Sequence, residues 1–170
     1  MRLPLVLALT AALLSGCASV QRVDAAGDVH ALLIAIRDND QAAFDARIDR
    51  YALRNQIEGQ LVARARTARV DDRLKALAVL LAGPAAQVAA DALLRPNVFK
   101  VAAEYYGYTP DRPIPGQFAI ASTLRQTANN RVCAARGKTG PCLLSFANED
   151  GVWKLVSFDG DPAQLRLPNL

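Results

Sequence analysis

The chain has 170 residues, 52% of them hydrophobic, with 20 Lys and Arg against 16 Asp and Glu, and three cysteines. This hydrophobic content excludes an intrinsically disordered chain, and three cysteines are too few for a small protein held together by many disulfides. The formal net charge of +4 is too small to indicate a nucleic-acid-binding protein. The length therefore favours one globular domain.

The first 16 residues are the most apolar part of the chain and predict a secretory signal peptide. Arg2 gives a positive start, and a mostly apolar run of twelve residues follows over 3–14, shorter than the roughly 18 residues that span a membrane. The run ends in Leu14-Ser15-Gly16-Cys17, which resembles the lipobox of bacterial lipoproteins. In such proteins cleavage falls before the cysteine, whose thiol receives a diacylglyceryl group and whose amino group is acylated. We therefore expect residues 1–16 to be a signal peptide and Cys17 to be a lipid anchor.

The residues after Cys17 predict where the domain lies and where it begins. Ala18 stands where an Asp would resemble an inner-membrane retention signal, so we expect the outer membrane, with the domain facing the periplasm. Residues 18–27 lack apolar periodicity and predict, with Cys17, a tether over 17–27. Removing Arg2 leaves 19 basic against 16 acidic groups, a weak charge that allows contact with lipid headgroups or glycans. A single domain is expected over 28–170.

The first part of this domain is predicted to be helical. Apolar residues recur at helical spacing from Val29 to Ile36 and predict the first helix. Asp28 is expected to cap its N-terminus. Five further helices are predicted over Gln41 to Ile48, about Arg50 to Arg69, Asp71 to Leu81, Ala85 to Leu94, and Asn97 to Tyr106. Three prolines and two glycines over 107–116 then end the helical pattern and predict a loop.

The residues after this loop predict an antiparallel sheet. Strands are expected over 131–135, 141–147 and 152–158, separated by turn sequences. Residues 117–126 fit either a helix or a strand, and we favour a strand. Because runs of helices precede runs of strands, the sequence predicts an α+β fold, with N-terminal helices packed on a C-terminal three- to four-stranded antiparallel meander.

Cys133 and Cys142 are predicted to form a structural disulfide across a hairpin. A two-residue turn at Gly137-Lys138 pairs positions whose numbers sum to 275, which puts the two cysteines opposite each other. The oxidising periplasm favours the bridge, and two free buried thiols are the alternative. A redox role is not expected, because the spacing is not Cys-x-x-Cys and no basic residue is placed to stabilise a thiolate.

The remaining polar residues show no catalytic or metal-binding pattern. His30 is the only histidine. A His-rich metal site is therefore excluded, and no Ser-His-Asp or Cys-His catalytic site can be built around another histidine. The acidic clusters Asp38/Asp40, Asp71/Asp72 and Glu149/Asp150/Asp159/Asp161 fit caps and turns. The basic stretch over 64–75 fits a solvated helix face. Tyr105, Tyr106 and Tyr108 flank the loop and would line the mouth of a ligand site, with core packing as the alternative. We expect no enzyme, no cofactor, no metal and no nucleic-acid partner.

Several short motifs resemble a family of small bacterial envelope proteins filed as a domain of unknown function. In chain order they are Ala35 to Asp40, Ile48-Asp49 with Leu53-Arg54, Asp91 to Pro96, and Gly151-Val152-Trp153-Lys154-Leu155. The likeness covers most of residues 30–158, whereas the lipobox and the cysteine hairpin are not general features of that family. The resemblance implies no catalytic residues, and it implies that Asp49 and Arg54 are a recurring polar pair, read as a helix cap and a local ion pair.

The order of helices and strands, which closes on a Gly-x-Trp-Lys strand, is also similar to cystatin-like and nuclear-transport-factor-like α+β folds. Those folds bend a sheet around helices into a cone, which some members use as a ligand pocket. Two functions therefore stay open. The first is a membrane-anchored module that binds an envelope protein or glycan, and the second is a carrier of a small apolar ligand.

Overall fold

Helices precede strands along the chain in the computed structural model, which describes residues 3–67, 87–105, 108–109, 111–135 and 139–159. The helices are α1 (Leu3–Asp38), α2 (Gln41–Asp45), α3 (Arg50–Thr67), α4 (Pro96–Tyr105) and α5 (Gln117–Thr123), and residues 87–93 are also helical. The strands are β1 (Leu124–Thr127), β2 (Arg131–Ala135), β3 (Cys142–Glu149) and β4 (Val152–Phe158). The predicted α+β fold is confirmed, while the helix predicted over Asp71 to Leu81 lies outside the described residues.

The strands form one antiparallel sheet in the order β1-β2-β3-β4, which confirms the meander. Val132 of β2 pairs with Phe146 of β3, which in turn pairs with Leu155 of β4. All three residues belong to the hydrophobic core against the helices. Because successive residues of a strand point to opposite faces, Cys133 and its partner Arg125 lie on the face away from that core.

The segment over 117–126 contains both of the structures that its sequence allowed. It is helical over Gln117–Thr123 and becomes a strand at Leu124, so our preference for a strand is wrong for the helical part. The helix buries Ile120 and Ala121 against the core. Its first residue also binds α1, because Gln117 Nε2 donates to the carbonyl oxygen of Val23 at 2.8 Å. Gly27 permits this approach, since a Cβ atom there would lie 3.2 Å from Gln117 Nε2.

α1 extends much further towards the N-terminus than the sequence predicts. The residues expected to form a tether over 17–27 are helical, and Asp28, expected to be an N-cap, lies inside the helix. Ala25 and Ala26 are completely buried in the core. The tether prediction is therefore wrong, because two small side chains are enough to pack a helix face that carries no long apolar pattern.

Large apolar side chains fill the space between the helices and the sheet. Trp153, Phe44, Phe146 and Leu53 are among the largest fully buried side chains of the described residues. Phe44 meets Phe99 of α4 edge to face, with ring centroids 5.1 Å apart, a geometry that aromatic pairs prefer. These contacts join the helices that follow α1 to the same core.

The outer edge of β4 is covered by the residues that lead into α3. The Asp49 N–H donates to the Leu155 carbonyl at 2.9 Å, and the Leu155 N–H donates to the Arg47 carbonyl at 3.0 Å. Further along, the side-chain amide of Gln56 binds the Phe158 backbone in both directions: Phe158 N–H donates to Oε1 at 3.2 Å, and Nε2 donates to the Phe158 carbonyl. The edge of β4 thus receives hydrogen bonds along most of its length.

Candidate functional site

The expected anchor, Cys17, lies within α1, close in sequence to the residues of that helix that pack in the core. It precedes the completely buried Ala25 by eight residues, which corresponds to about 12 Å along a helix. Val20, between them, is 66% exposed. Gln21 is already bound to the sheet, because its Nε2 donates to Asn130 Oδ1 in the β1–β2 turn at 2.8 Å. Among the described residues, no helix meets the length and hydrophobicity needed to cross a membrane.

Two carboxylates of α1 hold Trp153 of β4 in place. The Trp153 indole Nε1 donates to Asp24 Oδ2 at 2.8 Å, and its backbone N–H donates to Asp28 Oδ2 at 2.9 Å. Asp28 Oδ1 also lies 3.7 Å from Arg47 Nε, close enough for an ion pair but too far for a good hydrogen bond. Residues four apart share one face of a helix, so the Asp24 and Asp28 spacing was the sequence signal for this contact. Asp24 and Asp28 therefore hold β4 against α1.

Two of the motifs that resemble the envelope-protein family meet where α3 packs beside the helical segment over 87–93. Asp49 Oδ1 accepts a hydrogen bond from the Ala52 N–H at 2.9 Å, which confirms the predicted helix cap. Arg54 does not pair with Asp49. Its Nε and Nη2 both donate to Asp91 Oδ1, at 3.1 and 2.6 Å, so the local ion pair predicted for Arg54 is replaced by a longer-range one. Asp91 belongs to another of the motifs, and the pair therefore ties the two motifs together.

Replacing Asp49 with alanine is expected to lower the free energy of unfolding by about 1 kcal/mol, because the first turn of α3 loses its side-chain acceptor. Urea denaturation followed by circular dichroism measures this change. Asp111→Ala is the control, since Asp111 is exposed in a loop, and we expect it to change stability by less than about 0.5 kcal/mol. Equal effects of the two substitutions would contradict the capping role.

The tyrosines predicted to line a ligand mouth are only partly described. Tyr105 ends α4, Tyr106 lies outside the described residues, and Tyr108 is partly buried. The Tyr108 N–H donates to the Ala103 carbonyl at 3.0 Å. Its hydroxyl is buried and has no hydrogen-bond partner within the described part of the chain. A shared site for the three rings stays a prediction.

His30 connects α1 to the loop that precedes α5. It lies well inside α1, whereas the sequence predicted that this helix begins at Asp28, only two residues earlier. The ring is partly buried, and its Nδ1 lies 2.9 Å from the carbonyl oxygen of Pro115. A carbonyl can only accept, so the Nδ1 carries the proton. His30 therefore joins α1 to this loop through a hydrogen bond.

Several of the described acidic residues form caps or ion pairs, whereas the sequence predicted caps and turns. Asp40 caps α2 by accepting from the Ala43 N–H at 3.0 Å. Two hydrogen bonds from Arg37 lower the pKa of Asp38 and raise that of Arg37. Lys154 lies 3.0 Å from a carboxylate oxygen of Glu149. In the described ranges, no three His, Cys, Asp or Glu side chains converge as a metal site would require. Of the predicted clusters, Asp71, Asp72 and Asp161 lie outside those ranges, while Asp150 lies in the turn between β3 and β4 at positive φ.

Cys133 and Cys142 form the predicted disulfide, with their Cα atoms 5.5 Å apart. The register around it differs from the prediction. Cys133 pairs with Ser145, Cys142 pairs with Ala135, and the register shifts between Ala134 and Ala135. The numbers of paired residues sum to 278 from Arg131 to Ala134 and to 277 at Ala135, not to the predicted 275, so the two cysteines are not direct cross-strand partners. A bulge of this kind adds a residue to one strand and accounts for the change of one at Ala135. The predicted turn at Gly137-Lys138 lies outside the described residues.

Arg125 lies against both sulfur atoms of the disulfide. Its Nη2 is 3.4 Å from Cys142 Sγ and 3.9 Å from Cys133 Sγ. The expectation that no basic residue stands near these sulfurs is therefore wrong. Arg125 pairs with Cys133 across β1 and β2, and this proximity exists only because residues 124–127 form a strand.

The described elements define an α+β protein in which the sheet packs on a long N-terminal helix. Residues 5–101 match the family described as Protein of unknown function (DUF2939). This match covers more than half of the chain, and the protein belongs to that family. It includes Asp49, Arg54 and Asp91, whereas Trp153 and the disulfide lie beyond it. No curated protein and no solved structure gives a match, and the similarity to cystatin-like and nuclear-transport-factor-like folds stays a prediction.

Proposed function

We propose that this protein is an outer-membrane lipoprotein, attached through acyl chains on Cys17, whose periplasmic domain binds an envelope partner and has no catalytic activity of its own. The proposal rests mainly on Leu14-Ser15-Gly16-Cys17, which directly follows the apolar run over 3–14. Two or more acyl chains give stable membrane attachment, because each buried methylene contributes about 0.8 kcal/mol.

The path of α1 implies that the anchor and the domain core lie close together. A helix that continues from Cys17 into the core leaves about 12 Å between the anchor and Ala25. The β1–β2 turn at Asn130 lies beside Gln21 at the same end of α1. A domain held in this way stays next to the membrane, so its partner is expected at the membrane surface and not deep in the periplasm.

The anchor is tested by the chemistry of the mature N-terminus. We expect mass spectrometry of the purified protein to find an acylated, diacylglyceryl-modified Cys17 as the first residue, and fractionation to find the protein in the outer membrane. Cys17→Ala is expected to abolish the membrane-bound fraction while leaving the fold intact, because Cys17 precedes every residue of the described core. An unmodified N-terminus at any other residue would contradict the proposal.

The partner is sought by crosslinking in intact membranes. A photo-crosslinking residue at Asn129, in the turn at the anchor end, is compared with one at Gln41, which is exposed at the start of α2. We expect a specific adduct from position 129 that disappears in the Cys17→Ala background, because the soluble form no longer stays at the membrane. The absence of an adduct at both positions, with the lipid anchor present, would count against a binding module.

A carrier of a small apolar ligand is the second candidate, and the Tyr108 hydroxyl favours it. This group is buried without a hydrogen-bond partner in the described residues, and a buried polar group of this kind is costly unless something satisfies it. The ligand would therefore be mostly apolar and carry one polar group that binds the Tyr108 hydroxyl. Native mass spectrometry of protein released gently from membranes distinguishes the candidates. A stoichiometric small molecule that is lost in Tyr108→Ala would support the carrier.

A further inference from the structure

The disulfide stands on the face of the sheet that turns away from the hydrophobic core. Cys133 is completely buried, whereas Cys142, at the start of β3, is partly exposed. The residues that lead into Cys142 are also accessible, since Thr139 and Pro141 are exposed. The two cysteines therefore differ in exposure, and we expect a reagent from solvent to reach Cys142 first.

The charge of Arg125 is directed at these sulfurs. Within the described residues, its side-chain polar contacts are with Cys142 Sγ at 3.4 Å and Cys133 Sγ at 3.9 Å. Within the described residues, no carboxylate forms an ion pair with it. A positive charge within about 4–6 Å favours the ionised form of an acidic group. A thiolate released at either position would therefore be stabilised, and a more stable thiolate leaves a disulfide faster.

We propose that Cys133–Cys142 is a site of thiol–disulfide exchange with a protein dithiol of the same compartment. The thiolate of that partner attacks Cys142 Sγ and forms a mixed disulfide. The Cys133–Cys142 bond breaks, and its electron pair remains on Cys133 Sγ as a thiolate beside Arg125. The second thiol of the partner, after losing its proton to solvent, attacks the mixed disulfide and releases Cys142 as a thiolate. The partner is oxidised to its disulfide, and this protein is reduced to two thiols that take up protons from water.

The role of Arg125 is tested by the rate of reduction. The full chain with Cys17→Ala, which removes the third cysteine, is treated with dithiothreitol under native conditions, and free thiols are counted over time. Arg125→Gln is expected to slow the second-order rate about tenfold, and Arg125→Lys is expected to restore part of it. Arg131→Gln is the matched control, because Arg131 is an exposed arginine two residues before Cys133 on the same strand, and its rate should stay within about twofold of the parent.

Two results would overturn this exchange site. One is an unchanged rate in Arg125→Gln, with circular dichroism showing that the variant is folded. The other is a parent rate that does not rise with dithiothreitol concentration, because reduction would then depend on unfolding of the domain.

The direction of attack is tested with single-cysteine variants in the same Cys17→Ala background. Glutathione disulfide should modify Cys142 in Cys133→Ser at least tenfold faster than it modifies Cys133 in Cys142→Ser, because Cys142 is partly exposed and Cys133 is completely buried. Urea titration of both variants checks that each remains folded. Faster modification of Cys133 in a folded variant would contradict the proposed order of steps.

Discussion

Replacing Trp153 with alanine is expected to lower the free energy of unfolding by about 3–5 kcal/mol, the range for removing a large aromatic side chain from a core. Trp153 is 2% exposed and belongs to the main core cluster. Its loss also leaves Asp24 without the indole N–H that now binds it at 2.8 Å. Because Trp153 is the only tryptophan, the measurement needs urea denaturation followed by circular dichroism, since fluorescence is lost with the residue.

A second substitution separates packing from hydrogen bonding at this position. Trp153→Phe retains an aromatic ring but removes the N–H, and we expect it to cost about 1–3 kcal/mol, partly because the Asp24 carboxylate loses its donor. Combined with Asp24→Ala, the two losses should be less than additive, because both remove the same contact. A Trp153→Ala variant with a loss below about 1 kcal/mol would contradict the packing described for β4.

Removing the first turns of α1 is the other change with a large expected effect. We expect a chain that begins at residue 28 to be unfolded, while a chain that begins at residue 17 with Cys17→Ala is folded. The shorter chain lacks Ala25 and Ala26 from the core and the Asp24 acceptor of Trp153. It also loses the contacts of Gln21 with Asn130 and of the Val23 carbonyl with Gln117. Together these losses are expected to remove a large part of the roughly 5–15 kcal/mol that holds a typical domain together. Circular dichroism and thermal denaturation of the two chains measure the difference.

A point substitution controls for nonspecific effects at this end of the helix. Val20→Ser changes a residue that is 66% exposed, and we expect its thermal midpoint to match that of the chain beginning at residue 17. If the chain beginning at residue 28 folded with the same midpoint, residues 17–27 would be the tether that their composition suggested.

The general architecture could be predicted because, in most helices and strands, apolar residues recur at the spacing typical of that structure. Val29 to Ile36 repeats as a helix should, and the alternation over 152–158 is typical of a strand. The first half of α1 could not be recognised, because its core contacts come from Ala25 and Ala26 and from hydrogen bonds of Asp24. Small and polar side chains contribute little to a hydrophobic pattern, even when they determine how a helix packs.

The candidate site was predictable only where it depended on local sequence. The spacing of Cys133 and Cys142 was enough to predict their bridge, and Asp49 was recognisable as a cap. The position of Arg125 over the sulfurs depends on β1 pairing with β2. Residues 117–126 favoured a strand, but their sequence did not show that it begins only at Leu124 or which residues it pairs with. Arg54 likewise finds its carboxylate in Asp91, which is 37 positions away. Contacts of this kind require the tertiary fold.

The covered edge of β4 limits how an envelope partner can bind. A peptide that extends a sheet by strand addition needs a row of free backbone donors and acceptors, and at β4 the backbone of Arg47 and Asp49 and the amide of Gln56 occupy these positions. The opposite edge strand, β1, has four residues and is followed by Asn129 and Asn130 at positive φ, which ends its extended backbone. A partner is therefore expected to recognise side chains and surface shape, and variants that change backbone pairing alone should leave its binding unaffected.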